Sequence, residues 1–313
     1  MSRANSADDV PLRRRHDHDH VLTGILCRLG MGVSFSTMAA LLKLASVGGL
    51  NVAELVFYRS VFALPVVLAV VLKRETLAVL RPNNPLAHLS RSTLGLMSMG
   101  LTFQALILLP LADATAINFT APIFATVLSF LVLKEFVGPQ RWAAVLIGFV
   151  GVLIVARPGG SSLPLLGVGI ALAAAVSQAA VTTTLRHLQK SENVSAIVFW
   201  FAVAGSLVGS VLMLFFGHAH PWQAIAFAAA GGLAGGFGQL FMTASLRAPI
   251  AAVAPFDYLQ IVLATAYGWF LFSDMPTQHT IVGAGLIAGA GLYTAWREHR
   301  RRMQLAAATV PAV

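Results

Sequence analysis

Charged side chains are scarce in this sequence. Asp, Glu, Lys and Arg make up 11% of its 313 residues, whereas a soluble domain carries about 25% to hydrate its surface. The shortage excludes a large soluble enzyme, a disordered chain and a coiled coil. Cysteine is nearly missing as well. Cys27 stands alone, so the chain has neither an intramolecular disulfide framework nor a thiolate-rich metal site, and the plainest role for Cys27 is that of a small apolar helix residue. Acids are rarer than bases, 12 against 21, giving a formal net charge of +9. On a soluble protein that imbalance would suggest nucleic acid. On a chain this apolar, cations held in cytoplasmic loops explain it better, and no nucleic-acid partner is expected. Neither the 27 glycines nor the 14 prolines recur with a period, which excludes a collagen-like fibre.

Apolar residues are what the chain does have, at 57%. A membrane-spanning helix needs about 20 of them in a run. Ten runs qualify, near 21–45, 53–72, 89–109, 112–133, 141–156, 163–186, 194–216, 222–246, 249–272 and 278–296. The expected fold class is therefore an all-α membrane protein of ten transmembrane helices. Connections as short as Leu109–Ala112 make neighbouring spans antiparallel. The first run has polar flanks and further spans behind it, unlike a cleaved signal peptide. Ten spans put both termini on one side. With the N-terminus inside, that side collects Arg13-Arg14-Arg15, Lys73-Arg74, Arg81, Arg91, Lys134, Arg141, Arg247 and Arg300-Arg301-Arg302. The other side holds only Lys43 and Arg157. Both termini are expected in the cytoplasm.

The two halves resemble each other. Pro110-Leu111-Ala112 matches Pro249-Ile250-Ala251, and Asn118-Phe119 matches Asp257-Tyr258 in the same register. Ala125-Thr126 falls on Ala264-Thr265, and Glu135 on Asp274. Five spans per half means that the second copy enters the membrane from the opposite side. This predicts two inverted five-helix repeats, residues 21–157 and 163–297, between a cytoplasmic tail over 1–20 and another over 298–313. Secondary transporters use that arrangement, with the substrate between halves near the midplane.

Several motifs carry a family resemblance. Leu108-Leu109-Pro110-Leu111-Ala112-Asp113-Ala114, Ala121-Pro122 with Lys134-Glu135, Arg141-Trp142, Gly148-Phe149-Val150-Gly151 before Arg157-Pro158-Gly159, and Gly291-Leu292-Tyr293 with Arg297-Glu298 are similar to the EamA family of the drug/metabolite transporter superfamily. The resemblance covers nearly all of 20–298. It implies a carrier in the bacterial plasma (inner) membrane that exports or imports amino acids, S-adenosylmethionine, riboflavin, metallophores or other small metabolites. Phe57-Tyr58-Arg59 and Arg91 resemble the branch that holds S-adenosylmethionine and riboflavin carriers.

Charges inside a bilayer are costly, so each one is a candidate functional group. Arg28 and Asp257 sit about two turns into the first and ninth spans, at a similar depth of ~10 Å. A salt bridge between them is expected either as a clamp or as a gate; Arg28 snorkelling alone is the alternative. Arg59 lies two turns into the second span, near the ends that carry Glu54 and Asp113. Those three form either an interfacial ion network or an outer gate. Gln104, Asn118, Gln178, Gln239 and Tyr258 are the neutral polar residues expected, with Asp257, to line a substrate cavity, and Gln260 belongs to the same inventory. Pro65, Pro122 and Pro255 should kink their spans. The spacings Gly205-xxx-Gly209, Gly231-xxx-Gly235 and Gly285-xxx-Gly289 allow helices to approach closely; internal packing is the plainer use, and a homodimer is the alternative for the last.

Other chemistries lack their parts. All nine histidines sit in tails, loops or span ends, leaving no buried haem or metal ligands. His16-Asp17-His18-Asp19-His20 is a solvated tail or a divalent-metal binder. No Walker loop is present, no catalytic constellation converges, and no cofactor is implied. The alternative to a transporter is a membrane-embedded sensor or enzyme built on the same bundle. A sensor would usually carry a sizeable soluble output domain, and the tails here are short. The reading is a secondary transporter of a small polar metabolite, with lipid and substrate as its partners. Asp257 is the one acid deep enough for proton coupling, although facilitated exchange needs none.

Overall fold

The computed structural model describes residues 9–131, 139–156, 163–245 and 254–308. Lys134, Glu135, Arg157, Arg247 and Pro249-Ile250-Ala251 lie outside them. Among the described residues the structure is helical, without a strand. In chain order the helices are α1 (Asp9–Val47), α2 (Val52–Arg74), α3 (Pro85–Leu108), α4 (Leu111–Asn118), α5 (Ala121–Leu131), α6 (Pro139–Ala156), α7 (Leu165–Leu188), α8 (Val194–Phe216), α9 (Trp222–Ser245), α10 (Leu259–Phe272) and α11 (Gln278–Ala308). Short 3-10 turns cover Leu77–Leu80 and Ala254–Tyr258.

Local chemistry sets where the helices start. Asn51 accepts from the Glu54 amide at 3.2 Å while Glu54 accepts from the Asn51 amide at 2.8 Å, a reciprocal cap for α2. Asn84 caps α3 by accepting from the Ala87 amide, with Pro85 in the first turn, and Asn193 caps α8 through the Ser195 amide. α10 stops at Ser273, whose φ of 56° is left-handed.

Among the described residues six stretches are long and apolar enough to cross a membrane: Leu22–Val47, Val52–Lys73, Leu111–Leu128, Leu165–Leu185, Val194–Phe216 and Trp222–Ser245. Trp142–Ala156 and Phe256–Phe272 are shorter apolar helices. α3 and α11 cover the runs expected at 89–109 and 278–296 but fall outside that group. The first turns of α3 carry His88, Ser90, Arg91 and Ser92, and α11 opens on Gln278-His279-Thr280 and carries four glycines, Gly283, Gly285, Gly289 and Gly291. The exterior also fits a lipid environment. Leu214, Phe215, Phe270 and Trp222 are among the most exposed side chains, while Glu54, Arg59, Arg91 and Asp113 are buried. A water-soluble chain would reverse that distribution.

Helices from the two halves of the chain pair with each other: α1 with α9, α3 with α7, α2 with α8, and α6 with α11, while α4 packs on α10. If α1–α6 is set against α7–α11 with α4 and α5 taken as one broken element, every pairing maps onto itself or onto another. The expected proline kinks take two forms. α2 passes through Pro65 without interruption. The fourth and ninth runs instead break, at Phe119-Thr120 just before Pro122 and over the 3-10 turn that contains Pro255.

Glycines set the closest approaches. A Cβ on Gly209 would meet the Phe57 backbone at 2.7 Å, one on Gly232 the Tyr58 carbonyl at 2.9 Å, and one on Gly235 the Met38 sulfur at 2.7 Å. The Gly205 and Gly231 spacings thus serve packing within the chain. The third spacing departs from that expectation, because a Cβ on Gly285 or Gly289 meets nothing within 4 Å. The α6–α11 contact runs instead through Gly151 and Gly283, whose backbones face each other. On Gly283 a Cβ would come within 2.6 Å of the Gly151 carbonyl. Gly283→Ala should therefore lower the melting temperature in detergent, at a cost of about 1–3 kcal/mol for overpacking. Gly285→Ala should leave it unchanged or raise it by the ~0.5–1 kcal/mol that Ala gains over Gly in a helix. Equal effects of the two changes would contradict this packing.

Candidate functional site

The two helix breaks meet. Phe119, at the end of α4, and Tyr258, at the start of α10, place their ring centroids 5.2 Å apart. They are the residues that the internal repeat sets in register, so equivalent breaks in the two halves touch. Pro122 has no N–H to offer the carbonyl of Asn118 four residues earlier, and the Asn118 side-chain oxygen is itself buried without a hydrogen-bond partner. Next to Tyr258, Asp257 Oδ1 lies 2.7 Å from Arg28 Nε. Arg28 also donates to Ser245 Oγ at 3.0 Å, so one guanidinium ties α1 to α9 and to the second break. The opposite side of the junction is packed on Gly291, where a Cβ would run into the Tyr258 hydroxyl.

α1 closes one side of this junction. Ser36 donates to the Gln260 carbonyl at 3.4 Å, and Thr37 bonds the Tyr267 hydroxyl at 2.9 Å. The remaining polar candidates spread around it. Gln178 on α7 accepts from Ser98 on α3 at 3.1 Å. Gln104 and Gln239 are half-buried on α3 and α9. Asn118, Asp257 and Tyr258 thus share one junction with Arg28, while Gln104, Gln178 and Gln239 sit on the surrounding helices.

The expected network of Arg59, Glu54 and Asp113 does not assemble. Glu54 turns to the α8–α9 connection, accepting from the His218 amide and meeting His220 Nε2, each at 2.8 Å. Asp113 accepts from Thr280 Oγ1 at 2.7 Å and so joins α4 to α11. Arg59 points away from both and lies over the Phe201 ring, 5.2 Å from its centroid. The reason is helical phase. Glu54 sits in the first turn of α2, where its carboxylate must serve the cap, and Arg59 lies more than a turn deeper on a different face. Arg91 is also corrected. It belongs to no cytoplasmic loop, being 2% exposed on α3 and stacked 4.4 Å from the same Phe201 centroid.

Two polar latches join the halves at opposite ends of the bundle. At one, Glu54 holds the α8–α9 connection, supported by Asn51 donating to the Phe216 carbonyl at 2.7 Å. At the other, Glu192 just before α8 accepts from the Asn83 and Asn84 amides at 2.8 and 2.7 Å and lies 3.4 Å from His88 Nε2. The first latch binds the start of α2 to the α8–α9 connection. The second binds the start of α8 to the α2–α3 connection, which is the same contact with the halves exchanged. A shared pattern marks these segments in the sequence: Asn51-Val52 with Val56-Phe57-Tyr58-Arg59, and Asn193-Val194 with Val198-Phe199-Trp200-Phe201. In that register Arg59 and Phe201 are counterparts that touch across the two halves. This register, rather than the one through Asn118, is the signal that would have found the latches.

Known proteins share this architecture. The EamA-like transporter family matches residues 22–157 and again 165–295. A riboflavin transporter of Rhizobium johnstonii is 32% identical over 234 residues, 74% of this chain and 76% of that protein. The pseudopaline exporter CntI of Pseudomonas aeruginosa is 30% identical over 278 residues, 87% of this chain and 95% of its own. An S-adenosylmethionine uptake transporter of Rickettsia prowazekii is 25% identical over 248 residues, 79% of this chain and 84% of its own. One crystal structure superposes with a TM-score of 0.62 at 22% identity, covering 89% of this chain and 98% of that one, a likeness of fold.

The orphaned amide of Asn118 generates a prediction. Its buried oxygen has already lost its water without gaining a partner. Asn118→Ala should therefore leave the melting temperature unchanged or slightly higher. A fall of several degrees would mean that the amide bonds something within the protein.

Proposed function

Because this chain belongs to the EamA-like transporter family of the drug/metabolite transporter superfamily, and is thus a multi-pass membrane transporter of small molecules rather than an enzyme, we propose that it is a secondary carrier of a small polar metabolite working by alternating access. Ten spans, two inverted repeats over 21–157 and 163–297, and both termini in the cytoplasm make up the proposed topology. Two similar halves of opposite orientation give inward- and outward-open states of comparable energy. The helix-pairing pattern, which is unchanged when the halves are exchanged, supports this. So does the presence of one latch at each end of the bundle, since each open state needs only one of them released.

The observation that carries the proposal is the contact of the two helix breaks at Phe119 and Tyr258, with a charge pair beside it. Broken helices at midplane depth offer carbonyls and side chains to a solute without exposing backbone to lipid. Asn118, Asp257 and Tyr258 are the proposed core of the site, with Gln104, Gln178 and Gln239 on the cavity walls. Arg28 serves as the exchangeable partner of Asp257, and a cationic or hydrogen-bonding group of the substrate competes for that carboxylate. The relatives are named for riboflavin, pseudopaline and S-adenosylmethionine and include both an exporter and an uptake transporter, which supports a polar metabolite as the class.

Comparing metabolite pools in deletion and overexpressing cells identifies the substrate, and counterflow in proteoliposomes then measures transport. Asp257→Asn should reduce counterflow at least tenfold while folded protein stays near its normal level. If Asp257 only clamps Arg28, the same change strands a cation, and protein level or melting temperature falls along with transport. Full counterflow at a normal protein level would contradict the assignment. Counterflow unaffected by a pH gradient would exclude Asp257 as a proton-coupling group.

A further inference from the structure

Away from the Asp257 junction, the bundle holds a second concentration of charge. Arg59 on α2 and Arg91 on α3 are each 2% exposed and both stack on Phe201 of α8. Among the described residues no carboxylate pairs with either. Arg59 Nε, and Arg91 Nε and Nη1, are buried without a hydrogen-bond partner. Ser60 Oγ is likewise buried and unbonded; it packs on α8 at Gly205, one turn from Phe201. Among the described residues the cluster is therefore rich in N–H donors, and its one side-chain acceptor, the Ser60 hydroxyl, bonds none of them.

Such a cluster works against the fold. The two guanidinium carbons are no more than about 10 Å apart through their common ring, and like charges in an apolar interior are poorly screened. Stacking on one ring returns only part of the lost hydration. The chain nevertheless makes room for both groups. A Cβ on Gly95 would collide with Arg91 Nη1, and one on Gly235 would come within 3.2 Å of Arg59 Nε. Guanidinium forks with free N–H groups are complementary to carboxylate and phosphate oxygens.

We propose that Arg59 and Arg91, braced on Phe201, form a binding site for an anionic group, a carboxylate or a phosphate. The site sits between α2, α3 and α8, separate from the Arg28–Asp257 junction. The anion comes either from the transported solute or from a lipid headgroup entering between helices. In the first case the inference deepens the transport reading by giving the substrate an acidic group remote from the part that meets Asp257. It rests on that reading only for its role, because binding is measured without transport.

The test uses the full chain in phosphatidylcholine nanodiscs at constant ionic strength, with melting temperature followed against inorganic phosphate and against succinate. A ligand at ten times its Kd should raise the melting temperature of a chain this size by roughly 2–4 °C. Parallel nanodiscs contain phosphatidylglycerol and no added anion. A saturable rise with phosphate or succinate that is lost in Arg59→Gln and Arg91→Gln supports a solute site. A rise confined to phosphatidylglycerol and lost in the same variants supports a lipid phosphate at the same residues. Without anion, each variant should melt at or above the wild-type temperature, since it removes an uncompensated cation. No rise with any probe, or a rise that survives both substitutions, overturns the proposal. If a Gln variant fails to fold, Arg59→Lys and Arg91→Lys, which keep the charge and lose the fork, take its place: a rise weakened in them supports the site and an unchanged rise overturns it.

Discussion

A charge carried into a bilayer must take its partner with it or be supplied with one there. The interior of this bundle is arranged around that requirement. Arg28 and Asp257 satisfy it together, at 2.7 Å, and in doing so fasten α1 to the 3-10 turn at the start of the ninth run. Lys43 satisfies it differently, donating to the Leu106 and Leu109 carbonyls that close α3, where a cation meets the negative end of the helix. Glu54 and Glu192 satisfy it by accepting backbone amides at two opposite helix starts. Among the described residues, Arg59 and Arg91 are left with no more than an aromatic face.

The same accounting explains why the breaks lie where they do. A helix interrupted in lipid exposes backbone groups that nothing there can bond. The interruptions at Phe119-Thr120 and at Ala254–Tyr258 are instead turned toward each other, the Phe119 and Tyr258 rings in tilted contact, inside a jacket of apolar helices. Exchange of the halves carries one break onto the other and one latch onto the other. In the proposed cycle the breaks stay together as the pivot, and the latches at the two ends release in turn.

Much of this was legible in the sequence because hydropathy and periodicity report directly on burial. Within the described residues the ten apolar runs are largely helical, the fourth and ninth with a break, and six stretches there are long and apolar enough to span; the register joining Asn118-Phe119 to Asp257-Tyr258 pointed to the contact of the two breaks. The Arg28–Asp257 bridge followed from counting helical rise. What escaped was whatever depends on the direction of a side chain around its helix. Glu54 and Arg59 are close in sequence, yet Glu54 serves a cap and Arg59 a ring on α8. Arg91 looked like a loop cation because its neighbours His88, Ser90 and Ser92 are polar, and only packing against Phe201 shows that it is buried. The outward stripe of Gly285 and Gly289 could not be told from the packed stripe of Gly205 and Gly209 by spacing alone.

Alternating access makes one demand that needs no knowledge of the substrate: the junction of the breaks must be reachable from each side of the membrane in turn. Replacing the single native thiol by Cys27→Ser and adding Asn118→Cys gives a reporter at that junction. A membrane-impermeant maleimide applied to intact spheroplasts samples one side, and applied to inverted vesicles it samples the other. The account predicts labelling from both sides, slow in each case because this conformer is latched at both ends. Labelling from one side only, or from neither, would contradict it.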